Sequence, residues 1–214
     1  MKNRKKRYVI AITGASGIAF GIDLLSKLAL ADCEIYCVLT AAAKDVMGRE
    51  LGGAQTVFQA MDALRLSGFW KIPPLPLSKK EISRISTFED GDFDAPIASG
   101  SFLFDAMAVS PCSMKTLGKI ANSIADTLAV RAAEVALKER RRLVIVPRET
   151  PLALTSMRNM CAVSEAGAVV LPPSPGFYSR PACVGDIIEF VTARTLSAMG
   201  AEQSILKEWG YESL

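Results

Sequence analysis

The sequence predicts an α/β fold: one domain of three layers, α/β/α, with a mostly parallel sheet between two layers of helices. Three observations predict it. Apolar runs rich in β-branched residues alternate with helix-period segments along the chain. The 214 residues are 50% hydrophobic and 22% charged, a balance that buries a sizeable core and is too apolar for disorder. Strands that alternate with helices pair in parallel, because right-handed crossovers carry the helices onto both faces.

The elements follow in order. Residues 8–13 are an apolar strand that ends in a small-residue turn, and 18–31 have helical periodicity. A second strand covers 34–39. Helices over 42–51 and 55–64 are separated by Gly52-Gly53, and Pro73, Pro74 and Pro76 then hold the chain in a loop. A short strand is expected around 82–87, followed by a loop over 89–101 whose Ala98-Ser99-Gly100-Ser101 is small and flexible. Strand 106–110 runs into Pro111-Cys112-Ser113, with helices over 114–122 and 127–140 after it. Strand 143–146, helix 155–166, strand 168–171 and helix 185–199 complete the alternation. Residues 1–7 read as a basic tail, 8–200 as the folded domain and 201–214 as an extension.

Composition excludes several functions. The net charge is +3, and the clearest basic cluster, residues 2–7, has no interleaved aromatics, which argues against nucleic acid as a partner. That cluster and the apolar run after it imitate a secretory signal, but Thr13, Gly14, Ser16 and Gly17 interrupt the run. No stretch is long enough for a membrane span. Five cysteines without C-x-x-C pairing read as free thiols in a reducing cytoplasm, and no metal site is expected. Histidine is absent, which removes Ser-His-Asp and Cys-His catalysis. Acid–base chemistry must therefore use carboxylates, hydroxyls, lysine or a substrate phosphate.

Parallel sheets bind ligands at the carboxyl ends of their strands, and there the polar residues collect. The first strand ends in Thr13-Gly14-Ala15-Ser16-Gly17, whose small residues let backbone N–H groups approach a phosphate at a helix start; a ligand-free tight turn is the alternative. The segment also resembles the opening of short-chain dehydrogenases. Against that reading, the second strand ends in Leu39-Thr40 rather than an acid, and no Tyr has Lys four positions later. Ser113, Lys115 and Thr116 suit phosphate or flavin contacts at a second helix start, or else a Ser cap beside an exposed Lys. Arg148-Glu149 ends the next strand, as a site pair or as a surface ion pair.

Together, G-A-S-G at 14–17, P-C-S-M-K-T at 111–116, R-A-A-E-V-A-L-K-E-R-R at 131–141, V-P-R-E-T-P at 146–151 and P-G-F-Y at 175–178 resemble the successive signatures of the UbiX-type flavin prenyltransferases. The resemblance runs from Val9 to Trp209. It implies a Rossmann-like domain that holds FMN and transfers a dimethylallyl group from dimethylallyl phosphate or pyrophosphate to N5 and then C6 of the reduced flavin. The prenylated FMN would go to a UbiD-type decarboxylase, and the enzyme would be a homododecamer with sites near subunit contacts.

By position, Gly14, Ala15, Ser16, Thr40, Ser113, Met114, Lys115, Thr116, Arg131 and Arg148 would hold FMN. Lys138, Arg148, Glu149, Tyr178 and Arg194 would bind the prenyl phosphate in the same pocket. Glu149 would shuttle protons and Ser16 would assist near N5. Glu50 would be a further acid at the phosphate end, or simply an exposed helix carboxylate. Phe93 and the 98–101 loop are candidates for an apolar enclosure, Phe93 equally for loop packing. Trp209 would pack on a neighbouring subunit. Ser179 stands where that family commonly has His, so a proton transfer through that His has no counterpart here. Related flavoprotein cysteine decarboxylases, which depend on a catalytic His, and a non-catalytic FMN module are the competing readings.

Overall fold

The computed structural model describes residues 4–203. Six strands form one sheet: β1 (Lys6–Ile12), β2 (Cys33–Leu39), β3 (Ile85–Glu89), β4 (Ala106–Cys112), β5 (Arg142–Pro147) and β6 (Val169–Val170). Their order is β3-β2-β1-β4-β5-β6, and every pairing is parallel, so the sheet is wholly rather than mostly parallel.

The central strands are buried on both faces, which is why they read as continuous apolar runs. In β1, Ile10 and Ile12 point into one core and Val9 and Ala11 into the other. The first core is covered by α1 (Ile18–Leu30), α2 (Ala41–Glu50), α3 (Val57–Arg65) and α8 (Val184–Met199). The second lies under α5 (Met114–Ala121), α6 (Leu128–Lys138) and α7 (Leu154–Glu165). Each fully buried Ile, Leu or Val contributes about 1.5–3 kcal/mol.

The sequence reading misplaced one segment. The strand expected at 82–87 begins three residues later and ends two later: Ser78 and Glu81 form a reciprocal capping box that closes a one-turn helix, α4 (Lys79–Ile82), and β3 runs over Ile85–Glu89. The basic N-terminal residues that are described are no loose tail. Lys6 opens β1, Arg4 and Lys6 pair with Asp105, Lys5 with Asp32, and Arg7 with Glu34. Trp209 lies outside the described residues. Among those residues no helix is long and apolar enough to cross a membrane. All five cysteines are free thiols, and burial pushes Cys33 up to about 11 and Cys37 up to about 12, which makes both unreactive.

One close approach sets the position of α1. A Cβ added at Gly21 would strike the Ser110 carbonyl oxygen and the Ile12 side chain, so only glycine lets the helix lie this close to β4. We expect Gly21→Ala to cost about 1–3 kcal/mol by overpacking. Urea denaturation measures it, and unchanged stability would contradict the packing described.

Candidate active site

β1 and β4 are neighbours, but the chain continues from them to opposite sides of the sheet, towards β2 from one and β5 from the other. A crevice opens at their carboxyl ends, where such sheets take ligands. α1 leaves this crevice on one face and α5 on the other, so two helix N-termini flank it.

Thr13 joins the two sides. It is fully buried, its hydroxyl donates to the Pro111 carbonyl (2.8 Å) and accepts from the Ser113 N–H (2.8 Å), and its own N–H donates to the same carbonyl (3.2 Å). Pro111 presents that carbonyl because β4 bulges there. Val109 pairs with Ile145 and Cys112 with Pro147, so one extra residue sits in β4. The Arg148 N–H donates to the Cys112 carbonyl (3.1 Å), tying the end of β5 to the same place.

Ser113 caps α5, accepting from the Thr116 N–H (3.2 Å) and meeting the Thr116 hydroxyl at 3.0 Å. Thr40 likewise caps α2, accepting from the Ala43 N–H (3.1 Å). These hydroxyls already serve the helix ends. Among the described residues, the N–H groups of Gly14, Ser16, Met114 and Lys115 have no partner, and the side chains of Ser16, Lys115, Arg148 and Arg194 form no hydrogen bond or ion pair. Free amides in the turn before α1 and at the start of α5, with a lysine beside them, fit a phosphate-bearing ligand.

Glu50 corrects the expected role of the glycine turn. Its carboxylate accepts from the N–H of Gly17 (3.0 and 3.1 Å) and of Ile18 (2.9 Å), so the amides of the N-cap and first residue of α1 are held by an acid of the same chain. A carboxylate at a helix N-terminus is favourable for the reason a phosphate is. The turn offers Gly14 and Ser16 instead.

At the end of β5, a cavity of about 270 Å³ is lined by Arg148, Glu149, Phe20, Leu152, Met160 and Pro172. Glu149 folds back to accept from the Thr150 N–H (3.1 Å). An adjoining volume of about 550 Å³ shares Pro172 and Ser174 and holds Phe190 and Arg194. Phe190 and Arg194 are one turn apart on α8 and share a face, and the Tyr178 ring meets Phe190 edge-on with centroids 6.0 Å apart. Arg148, Glu149 and Arg194 thus come from two parts of the chain to two adjoining hollows, with Tyr178 packed on Phe190 in the wall of one of them.

Lys138 and Arg131 do not join them within one chain. Lys138 ends α6 four residues before β5 begins, paired with Glu139 and set against Gly100, whereas Arg148 follows the other end of β5. A six-residue strand separates the two by about 20 Å. Arg131 donates to the Ala98 carbonyl (3.0 Å) and pairs with Glu134, on the flank of α6. Phe93 is 47% exposed in the loop after β3, and the 98–101 loop sits against Lys138 and Glu139, so neither encloses the crevice. The apolar wall is Phe20, Leu152 and Met160, residues that sequence reasoning missed. Phe20 was signalled only by its place in the first turn of α1, just after the small-residue turn.

The flavoprotein family model matches residues 1–196. The chain is 41% identical to the flavin prenyltransferase UbiX of Thermoplasma acidophilum, over 95% of this chain and 99% of that one. It resembles the solved structure of AnUbiX in complex with FMN and dimethylallyl pyrophosphate, with a TM-score of 0.79 and 34% identity over 98% of this chain and 100% of that one. A dodecameric FMN-dependent UbiX-like decarboxylase from Escherichia coli O157:H7 has a TM-score of 0.76 and 35% identity, over 95% and 98% of the two chains.

Thr13→Val keeps the shape of the tie and its backbone bond and removes the two hydrogen bonds of the hydroxyl. Leaving the part-buried Ser113 N–H unpaired and the Pro111 carbonyl with the Thr13 N–H alone is expected to cost about 1–3 kcal/mol. Calorimetric melting measures the loss, and a variant as stable as the parent would show that Thr13 does not hold the two strand ends.

Proposed function

The chain belongs to the flavoprotein family and, within it, to the UbiX flavin prenyltransferases, and from that premise we propose that it transfers a dimethylallyl group from dimethylallyl phosphate or pyrophosphate to N5 and C6 of reduced FMN. The observation that carries this reading is the pair of adjoining hollows in which Arg148 and Arg194, both without a partner among the described residues, stand with Glu149 beside an apolar wall, with Tyr178 packed on Phe190 next to Arg194. A flavin site alone needs no second set of cations.

The fit to FMN rests on the unpartnered amides of Gly14, Ser16, Met114 and Lys115 and on the Lys115 ammonium, with Ala15, Thr40, Ser113, Thr116 and Arg148 around them. Reduced FMN, when bound, supplies the nucleophilic atoms. The chain's own residues do the rest. As the allylic C–O bond breaks, the electron pair leaves with the phosphate, and Arg148, Arg194 and the Tyr178 phenol stabilise the growing negative charge; one such donor is worth about 3 kcal/mol. Glu149, exposed at the mouth of its cavity, takes up the protons released by alkylation and passes them to the phosphate, a role that needs no histidine. Ser16 holds a hydrogen bond near the reacting nitrogen. Phe20, Leu152 and Met160 keep water from the prenyl carbon.

Lys138 and Arg131 enter this scheme from a neighbouring subunit, since their own chain carries them away from the crevice. A homododecamer like that of the Escherichia coli relative supplies such a contact. Glu50 belongs to the crevice as the cap of α1, and it meets the phosphate end from there. The prenylated FMN passes to a UbiD-type decarboxylase.

Anaerobic incubation with reduced FMN and dimethylallyl phosphate should add one prenyl unit to the flavin by mass spectrometry. Arg148→Ala and Glu149→Gln should slow the addition by about 100-fold or more. No mass gain, or full activity in both variants, would overturn the reading.

A further inference from the structure

Tyr178 stands on a single turn of 3₁₀ helix, Phe177–Ser179, and is 69% exposed. A phenol so open keeps its rotamer freedom unless something fixes the ring, and a donor stabilises a growing charge best when it is already in place. The turn itself is set by backbone-directed bonds. The Ser179 hydroxyl and N–H both donate to the Gly176 carbonyl (2.7 and 3.2 Å), and the Arg180 N–H donates to the Phe177 carbonyl (2.9 Å). The ring is set by two contacts. A Cβ added at Gly176 would stand 2.5 Å from Tyr178 Cε1 and 2.9 Å from Phe190 Cζ, so both rings close on a bare Cα. Gly176 has φ −87° and ψ 106°, a backbone open to other residues, so it is the close approach that calls for glycine. Phe190 meets Tyr178 edge-on, the planes at 77° and the centroids 6.0 Å apart. Unlike Tyr178, Phe190 is anchored: it is 9% exposed and belongs to the core that α1 and α8 cover. Its helix carries Arg194 one turn further on, and both line the same hollow.

We propose that Phe190 is a positioning residue for prenyl transfer, a core-anchored ring that, against the bare Cα of Gly176, holds the Tyr178 phenol in register with Arg194. This role rests on the prenyl-transfer reading. Phe190 has no hydrogen bond to give, and what it supplies is geometry. Because Arg194 rides on the same helix, a Tyr178 ring packed on Phe190 is placed relative to Arg194 and not only relative to its own exposed loop. A phosphate gaining charge then meets two donors whose separation is fixed beforehand. Leucine at 190 would fill the core but offer Tyr178 no ring. Alanine at 176 would keep the backbone and Phe190 but wedge the two rings apart. Gly176 lines neither hollow, so its added methyl acts on the rings and not on a ligand.

Two measurements on the full-length protein test this. In the first, tyrosine is replaced by 3-fluorotyrosine and the Tyr178 fluorine signal is assigned by its loss in Tyr178→Phe. In the parent the signal is expected to stand away from that of free fluorotyrosine, and to move towards it in Phe190→Leu and in Gly176→Ala. This measurement needs no turnover, so a parent that fails to prenylate reduced FMN overturns the prenyl-transfer reading, whereas an unmoved signal overturns the positioning. The second is steady-state prenyl addition. Both variants should lower kcat about tenfold or more and change KM for dimethylallyl phosphate less than about threefold, because Tyr178 acts on charge that grows only as the bond breaks. Tyr178→Phe should slow the parent about 100-fold but the Phe190→Leu protein only about tenfold or less, since residues that act as a unit do not add. An unmoved Tyr178 signal, an unchanged kcat in both variants, or the full cost of Tyr178→Phe in the Phe190→Leu background would overturn the proposal. If Phe190→Leu fails to fold, Gly176→Ala, which leaves the core intact, decides on the same readouts.

Discussion

The hydroxyl of Thr13, donating to Pro111 and accepting from Ser113, fixes the distance between the two loops on which the crevice is built. β1 and β4 diverge beyond the sheet, and without a tie their helices would separate. The bulge in β4 turns the Pro111 carbonyl towards Thr13, and Gly21 lets α1 lie against Ser110 directly below. Backbone, side chain and the absence of a side chain therefore act on one spot. The free amides of α1's turn and of α5 face a common space because of it.

Most of the fold was legible because both of its periodicities are strong. The buried strands read as apolar runs, and the helices began at Thr or Ser caps such as Thr56, Ser113 and Thr127. The 82–87 segment was misread because Ile82 and the β-branched residues after it suggested one strand, while the Ser78–Glu81 capping box, a purely local signal, took Ile82 into a helix. Of the site, the strand-end motifs placed Ser16, Ser113 and Arg148 at one end of the sheet, as parallel topology requires. Lys138 was harder. Only ten positions separate it from Arg148, but a strand lies between them, so neighbours in sequence became opposite ends of the sheet. The Glu50 cap and the Thr13 tie were invisible, because each depends on contacts between residues about 30 to 100 positions apart.

The lack of histidine gives the site a particular character. Ser179, where the resembled family commonly carries His, turns its hydroxyl back to the Gly176 carbonyl (2.7 Å) and closes the turn that presents Tyr178. It is a structural residue of that loop. In the proposed chemistry proton movement falls to Glu149 and the substrate phosphate, and charge stabilisation to fixed cations.

The account's central claim is that a complete site needs the strand-end cluster of one subunit and Lys138 of another. Subunit mixing tests it most directly. Arg148→Ala and Lys138→Ala proteins, each expected to be severely slowed alone, are co-expressed with different tags, isolated as mixed oligomers and assayed for prenyl addition to reduced FMN. The account predicts that activity returns in the mixture, because some contacts pair an intact Arg148 with an intact Lys138. Mixed oligomers as inactive as either parent would contradict it.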